Sequence, residues 1–197
     1  MKDFWNKRYS ELNYAYGKEP NQFYKSEINS LKGDKILFPA EGEGRNAVYA
    51  SKEGWDCYAF DISEEGKQKA DLLASENNVS LKYIVSDFRD VNYPDEYFDC
   101  IVLIFAHVPT DLREDFHQKM LRMLKKGGHI LLEGFSKDQI NNTTGGPKNE
   151  AMLFSKEMLQ KDFSLLSNLN INEKDVDLHE GPFHKGLASV IQLIGTK

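Results

Sequence analysis

The chain has 197 residues, a formal net charge of -6, and 40% hydrophobic against 28% charged side chains. That balance suits one packed domain and excludes a disordered chain, and the acidic charge argues against an extended nucleic-acid footprint, which needs concentrated Lys and Arg. No apolar run is long enough to span a bilayer and the N-terminus lacks the apolar heart of a signal peptide, so the expectation is a cytoplasmic protein with no membrane partner.

Strand and helix patterns alternate along the chain, so we read residues 1–197 as one domain. Residues 1–32 form a helical cover segment and 33–197 the core. The first strand is expected at Lys35 to Phe38, and its helix from near Glu43 to Lys52, with Gly54 as the stop signal. A second strand, Asp56 to Phe60, leads to a helix capped by Ser63, with Glu64 and Glu65 against the positive end of its dipole; Asn77-Asn78 ends it. A third strand spans Lys82 to Val85.

Phe98 to Phe105 contains the unbroken run Ile101-Val102-Leu103-Ile104-Phe105, which suits a central parallel strand covered on both faces. The next helix is expected to start at Thr110 or Asp111, with an apolar side through Leu112, Phe116, Met120, Leu121 and Leu124. Lys125-Lys126-Gly127-Gly128 reads as its positively charged, glycine-terminated end, before a fifth strand from His129 to Glu133. Residues 135 to 153 read as a polar loop. A short helix then follows Ser155, with Phe154 and Leu159 placed as a hydrophobic staple. Strands at about Asn172 to Glu180 and Gly186 to Gly195, joined through Gly181-Pro182-Phe183-His184-Lys185, predict an antiparallel hairpin. Repeated βα units imply a doubly wound α/β sheet finished by that hairpin.

Chemistry concentrates after the first strand. Gly42-Glu43-Gly44-Arg45-Asn46-Ala47 satisfies the G-x-G-x-x-G/A pattern, and Asp61 ends the next strand, where a carboxylate can accept from ribose hydroxyls. NAD, FAD and S-adenosylmethionine (SAM) all use versions of this layout. Glutamates in the turn are unfavourable beside a pyrophosphate but tolerable beside a sulfonium cation, and that favours SAM over NAD. Cys57 and Cys100 lie inside apolar runs and read as buried hydrophobes.

The chain resembles class I SAM-dependent methyltransferases, close to the small tellurite-resistance and thiopurine S-methyltransferase-like branch. The resemblance rests on the order of Phe4-Trp5-Asn6-Lys7-Arg8-Tyr9, Ala15-Tyr16-Gly17-Lys18-Glu19-Pro20-Asn21, Ala40-Glu41-Gly42-Glu43-Gly44-Arg45-Asn46-Ala47, Ala59-Phe60-Asp61-Ile62-Ser63, Ser86-Asp87-Phe88 and Leu124-Lys125-Lys126-Gly127-Gly128. It implies a Rossmann-like, seven-stranded sheet, mostly parallel, with an antiparallel last strand. SAM is the implied cofactor and S-adenosylhomocysteine its product.

By position, the resemblance places Ala40, Glu41, Gly42, Glu43, Gly44 and Asn46 along the methionine part of SAM, and Asp61 on the ribose. Ile62 and Ser63 follow beside the adenine, Asp87 and Phe88 at its edge, and Ile104 and Phe105 under the sulfonium. Phe38 and Ala40 stand where the family has an acid and its first glycine, so Glu41 is the candidate replacement carboxylate. Trp5, Tyr9 and Tyr16 pack the leader and, by resemblance, cover the site; Lys148 is a candidate substrate contact in the loop.

His107 directly follows the fourth strand, where open α/β sheets bind ligands, and is the candidate base or acceptor contact. Arg113 reads as a surface helix residue. Strand alternation sends His179 and Glu180 to opposite faces and no third histidine is in register near His184, so no metal is expected. With no evident acid–base pair, the expected reaction is methyl transfer to a small-molecule acceptor, with a soft thiol, selenium or tellurium nucleophile fitting best. A non-catalytic SAM-binding module and, more weakly, an NAD-binding oxidoreductase are the alternatives. The sequence specifies neither the acceptor nor the oligomeric state.

Overall fold

A computed structural model describes residues 1–197. Strands β1 (Lys35–Pro39), β2 (Asp56–Asp61) and β3 (Lys82–Val85) run parallel on one side of a sheet, and β4 (Phe98–Ile104) and β5 (Leu124–Phe135) continue it on the other. A hairpin of β6 (Ser167–Glu180) and β7 (His184–Thr196) completes seven strands in the order β3-β2-β1-β4-β5-β7-β6. β7 pairs antiparallel with β5, and β6 with β7. The chain leaves β1 toward β2 and returns on its other side as β4. The sheet order therefore reverses between β1 and β4, the point at which such sheets open a crevice beyond their strand ends.

Period-two alternation divides the apolar residues between two faces. Leu37, Ile101 and Leu103 join one core with Phe98, Phe116, Met120 and Phe163. Ile36, Phe38, Cys100 and Val102 join the other with Tyr24, Ile28, Cys57 and Leu131. Both cysteines are buried free thiols, as the apolar runs predict. The sheet is flanked by α3 (Arg45–Lys52), α4 (Glu64–Glu76), α5 (Arg113–Met123) and α6 (Lys156–Asp162), while α1 (Lys2–Tyr9) and α2 (Gln22–Ile28) form the leader. The caps follow their chemistry: Ser63 accepts from Gly66 N, Asn21 from Tyr24 N and Ser155 from Met158 N. Phe154 and Leu159, on either side of Ser155, are both buried in the larger core.

Three expectations need correction. Lys125-Lys126-Gly127-Gly128 does not end α5 but belongs to β5, because Leu124 is already extended and pairs with Phe98. Lys125 binds Asp99 at 2.7 Å, and Gly127 N and Gly128 O bond the last residue, Lys197. Non-local pairing thus overrides a local stop signal. α5 begins at Arg113 rather than Thr110 or Asp111, after a turn closed by Leu112 N donating to Pro109 O. The 135–153 segment is a pinned loop with 3-10 turns at Lys137–Asn141 and Glu150–Met152. Its buried Gln139 accepts from Ser189 N and donates to Thr144 Oγ1 and Gly145 O.

Candidate active site

At the carboxyl ends of β1 and β4, beneath α1, lies a cavity of about 1300 Å³. Its floor begins at the turn after β1. Gly42 and Gly44 have φ of +61° and +86°, and a side chain at Gly44 would collide with Ala70 of α4 at 2.6 Å, so glycine is what lets α3 and α4 approach. Ala40 adopts φ +53° without being glycine. Tyr83 Oη donates to Gly42 O at 2.7 Å and fixes the turn from beneath.

Two carboxylates define the charge of this floor. Glu41 accepts from the amides of Asn46 at 2.9 Å and Ala47 at 2.8 Å, satisfying the exposed N–H groups that begin α3. Burial raises its pKa to about 7 against the opposing pull of those amides. Asp61, 6% exposed at the end of β2, accepts from Gly42 N and Ser63 N, both at 3.0 Å. Burial raises it to about 6, although the backbone hydrogen bonds oppose the shift. Both side chains line the cavity.

The other expected residues divide. Ala40, Asn46, Ile62, Asp87, Phe88, Ile104 and Phe105 line the cavity, as do Trp5, Tyr9, Tyr16, Lys148 and His107. Gly42, Glu43, Gly44 and Ser63 do not. Glu43 points toward the leader, accepting from Ala15 N at 2.8 Å and pairing with Lys69 at 2.9 Å, so it ties the cover segment down and puts no charge in the site. Ser63 is used up as a helix cap and as a donor to Asn6 at 2.7 Å. Asp87 is held bidentately by Arg89, whose hydrogen bonds lower its pKa against partial desolvation. Lys148 donates to Asn142 O at 3.1 Å at the rim.

His107 lies where expected but is chemically occupied. Nδ1 bonds Met152 O at 2.8 Å while Nε2 accepts from Phe135 N at 3.0 Å, which makes Nδ1 the donor. Burial lowers its pKa to about 4, with the Met152 carbonyl pulling the other way. A neutral ring with both nitrogens bonded joins the strand ends to the loop and has no lone pair free for a proton. The base role is therefore withdrawn from His107.

Aromatic rings form the far end of the cavity. Phe105, with φ +52°, meets Phe135 at 4.6 Å and His184 at 4.5 Å between ring centroids, and His184 meets Tyr16 at 4.4 Å. Arg8 stacks on Phe183 at 3.7 Å and donates to Tyr16 Oη at 3.3 Å. Arg8, Phe135 and His184 were not singled out as site residues from sequence. The hairpin that carries His184 is built by pairing more than a hundred residues away from the glycine turn, and no local motif marks it. No group of three His, Cys, Asp or Glu side chains is placed to hold a metal ion.

Comparison with known proteins agrees with this fold. A family model described as a methyltransferase domain matches residues 39–132. The ubiquinone/menaquinone biosynthesis C-methyltransferase UbiE of Yersinia enterocolitica is 31% identical over 113 residues, covering 54% of this chain and 44% of that protein. The chain thus spans less than half the length of the curated relatives it matches. Among solved structures, TehB from Haemophilus influenzae superposes with a TM-score of 0.74 at 18% identity, over 100% of this chain and 66% of that one. A protein solved in connection with the conversion of a disulfide bond into a thioacetal group during echinomycin biosynthesis gives 0.77 at 15% identity, over 99% and 90%. A putative methyltransferase from Bacillus halodurans gives 0.66 at 19%, over 89% and 98%. At these identities the likeness is one of fold.

Proposed function

We propose that this chain, a class I SAM-dependent methyltransferase in its fold and matched domain, transfers a methyl group from SAM to a small-molecule acceptor. The observation that carries the choice of cofactor is the position of Glu41. In a dinucleotide site the first amides of this helix bind pyrophosphate. Here a carboxylate already occupies them, at 2.8–2.9 Å. A phosphate finds those amides already taken, whereas a sulfonium cation nearby favours the ionised form of Glu41.

The residues present fit SAM. Asp61 offers carboxylate oxygens to ribose hydroxyls, Ile62 and Phe88 give apolar surface for adenine, and Ala40, with no side chain beyond Cβ, leaves the turn open to the methionine part. Bound SAM supplies a methyl carbon activated by positive sulfur. The protein's part is to align the acceptor and exclude water, and the aromatic end around Phe105, Phe135 and Tyr16 suits both tasks. A soft thiol, selenium or tellurium nucleophile matches that apolar, polarisable wall.

Thermal unfolding with saturating ligand tests the reading. At about 100 times the dissociation constant, S-adenosylhomocysteine should add roughly 2.7 kcal/mol, which for a chain of this size is a rise of about 5–11 °C. NAD should add nothing. Stabilisation by NAD alone would sink the proposal.

A further inference from the structure

The acceptor end of the cavity contains a buried imidazole that the fold leaves unsatisfied. His184 opens β7, lines the cavity and is 5% exposed, yet its Nδ1 has no hydrogen-bond partner. Directly across the hairpin, Glu180 pairs with it in register and places Oε2 3.5 Å from Nδ1. Glu180 is itself held from behind by Arg45 at 2.7 Å and by the Asn21 amide at 2.9 Å. Buried polar groups are ordinarily paired, and the only group facing the unpaired Nδ1 is the Glu180 carboxylate, so the ring is set to carry its proton on Nδ1 and to leave Nε2 as the acceptor. Catalytic contacts are commonly long before substrate binds.

The surroundings read as a built site. Phe105 packs edge-on against the ring at 4.5 Å, which connects His184 to the end of β4. Gly145 lets the loop backbone close over it, since a side chain there would lie 2.8 Å from the ring. The contrast with His107 is chemical: His107 has both nitrogens bonded, whereas His184 has a carboxylate behind Nδ1 and nothing on Nε2.

Resting on the methyl-transfer reading above, we propose that His184, oriented by Glu180, takes the acceptor's proton. The acceptor is then a neutral chalcogen nucleophile that arrives as S–H, Se–H or O–H. As the chalcogen forms its bond to the methyl carbon, the bond between that carbon and the sulfonium breaks and its electron pair stays on sulfur. The chalcogen's proton passes to Nε2. One positive charge thus moves from the sulfonium to the imidazolium, beside the Glu180 carboxylate.

The groups facing His184 are Glu180 and Arg45, Arg8 and Tyr16 from the leader, and His107 beyond β4. Burial, and then Arg45 and Arg8, lower its pKa while Glu180 raises it; the net shift is down, which keeps the ring neutral and able to accept. Glu180, despite burial, is held at about 2 by His184 and Arg45 and stays ionised.

Nitrogen-15 spectra of the imidazoles in the complex with S-adenosylhomocysteine should show His184 protonated on Nδ1 with a bare Nε2. The opposite tautomer overturns the proposal without any need for turnover. Independently, methylation from labelled SAM is measured across alkyl and aryl thiols graded in acidity. His184→Asn should slow thiols that are protonated at the working pH by about 10²-fold or more and spare those already ionised. An equal loss across the series would mean a structural role only. SAM affinity of the wild-type protein by calorimetry tests the underlying methyltransferase reading separately, and His184→Asn should leave it unchanged.

Discussion

Asp61 and Glu41 show how burial sets a residue's chemistry. Each carboxylate is raised above its ordinary value of 3.8 or 4.5, to about 6 and about 7, because it is taken from water without a cationic partner at hydrogen-bond distance. The folded protein therefore keeps protons that the unfolded chain has released, and these two groups make the ligand-free protein less stable as pH climbs from about 4 to 7. Ribose hydroxyls prefer the ionised Asp61. SAM binding at pH 6 should then release protons, and affinity should rise toward neutrality. Calorimetry at that pH in buffers of different ionisation heat measures the release, and proton uptake would contradict the assignment. Asp61→Ala should weaken SAM by roughly 1.5–3 kcal/mol, the range for a charge-assisted hydrogen bond. Ala40 differs, since its strain is in the backbone. At φ +53° it carries a Cβ where glycine fits better. Ala40→Gly should raise stability by about 0.5–1 kcal/mol in urea titrations, with SAM affinity retained.

Between elements, the clearest case of hidden design is the join of α5 to α6. Arg113, which reads as a surface residue, instead donates to the fully buried Asp162 at 2.7 and 3.2 Å, and His117 joins the same carboxylate at 2.8 Å. Burial alone would raise Asp162, but the bonds from His117 and Arg113 outweigh it and hold the group at about 2. Its contribution is complete above about 4 and is lost as pH falls through about 2. Asp162→Ala strands a buried guanidinium and should cost about 3–5 kcal/mol in urea denaturation; a loss under 1 kcal/mol would show the pair to be decorative. This join also marks what the sequence could reveal. Ser63, Gly54 and Asn77-Asn78 act through their own neighbours, so the ends of α3 and α4 were readable, and so were the apolar runs of β1 to β4. Lys125-Lys126-Gly127-Gly128 carries an equally good local signal and was misread, because pairing with β4 and with the C-terminus decides its structure. The glycine turn and Asp61 end successive strands close in sequence, so their meeting on the cavity floor is readable from the sequence. The aromatic end is assembled from the leader, the 135–153 loop and the hairpin, so the sequence presents His184 only as a metal candidate and Arg8 only as part of the leader motif, while His107 stands out by its place at a strand end.

For the molecule as a whole, strand ends, the 143–149 segment, the hairpin turn and the leader all line the cavity, and the leader is fastened unevenly. Its second half is anchored by buried contacts: Ala15 N to Glu43, Asn21 Nδ2 to both Glu133 and Glu180, and Asn21 N to Asn46. α1 is held to α4 by more exposed groups, with Lys2–Glu64 about half exposed on both sides, the kind of pair worth little in water. Trp5, Arg8 and Tyr9 of α1 nevertheless line the cavity. This contrast predicts that α1 lifts while residues 15–28 stay in place, since local opening follows the weakest set of contacts. In hydrogen exchange, amides of α1 should exchange faster than those of α2 in the free protein. S-adenosylhomocysteine should slow α1 selectively, and raised salt should speed it by screening Lys2–Glu64. Equal protection of α1 and α2 with and without ligand would mean that the leader is a fixed wall of the cavity.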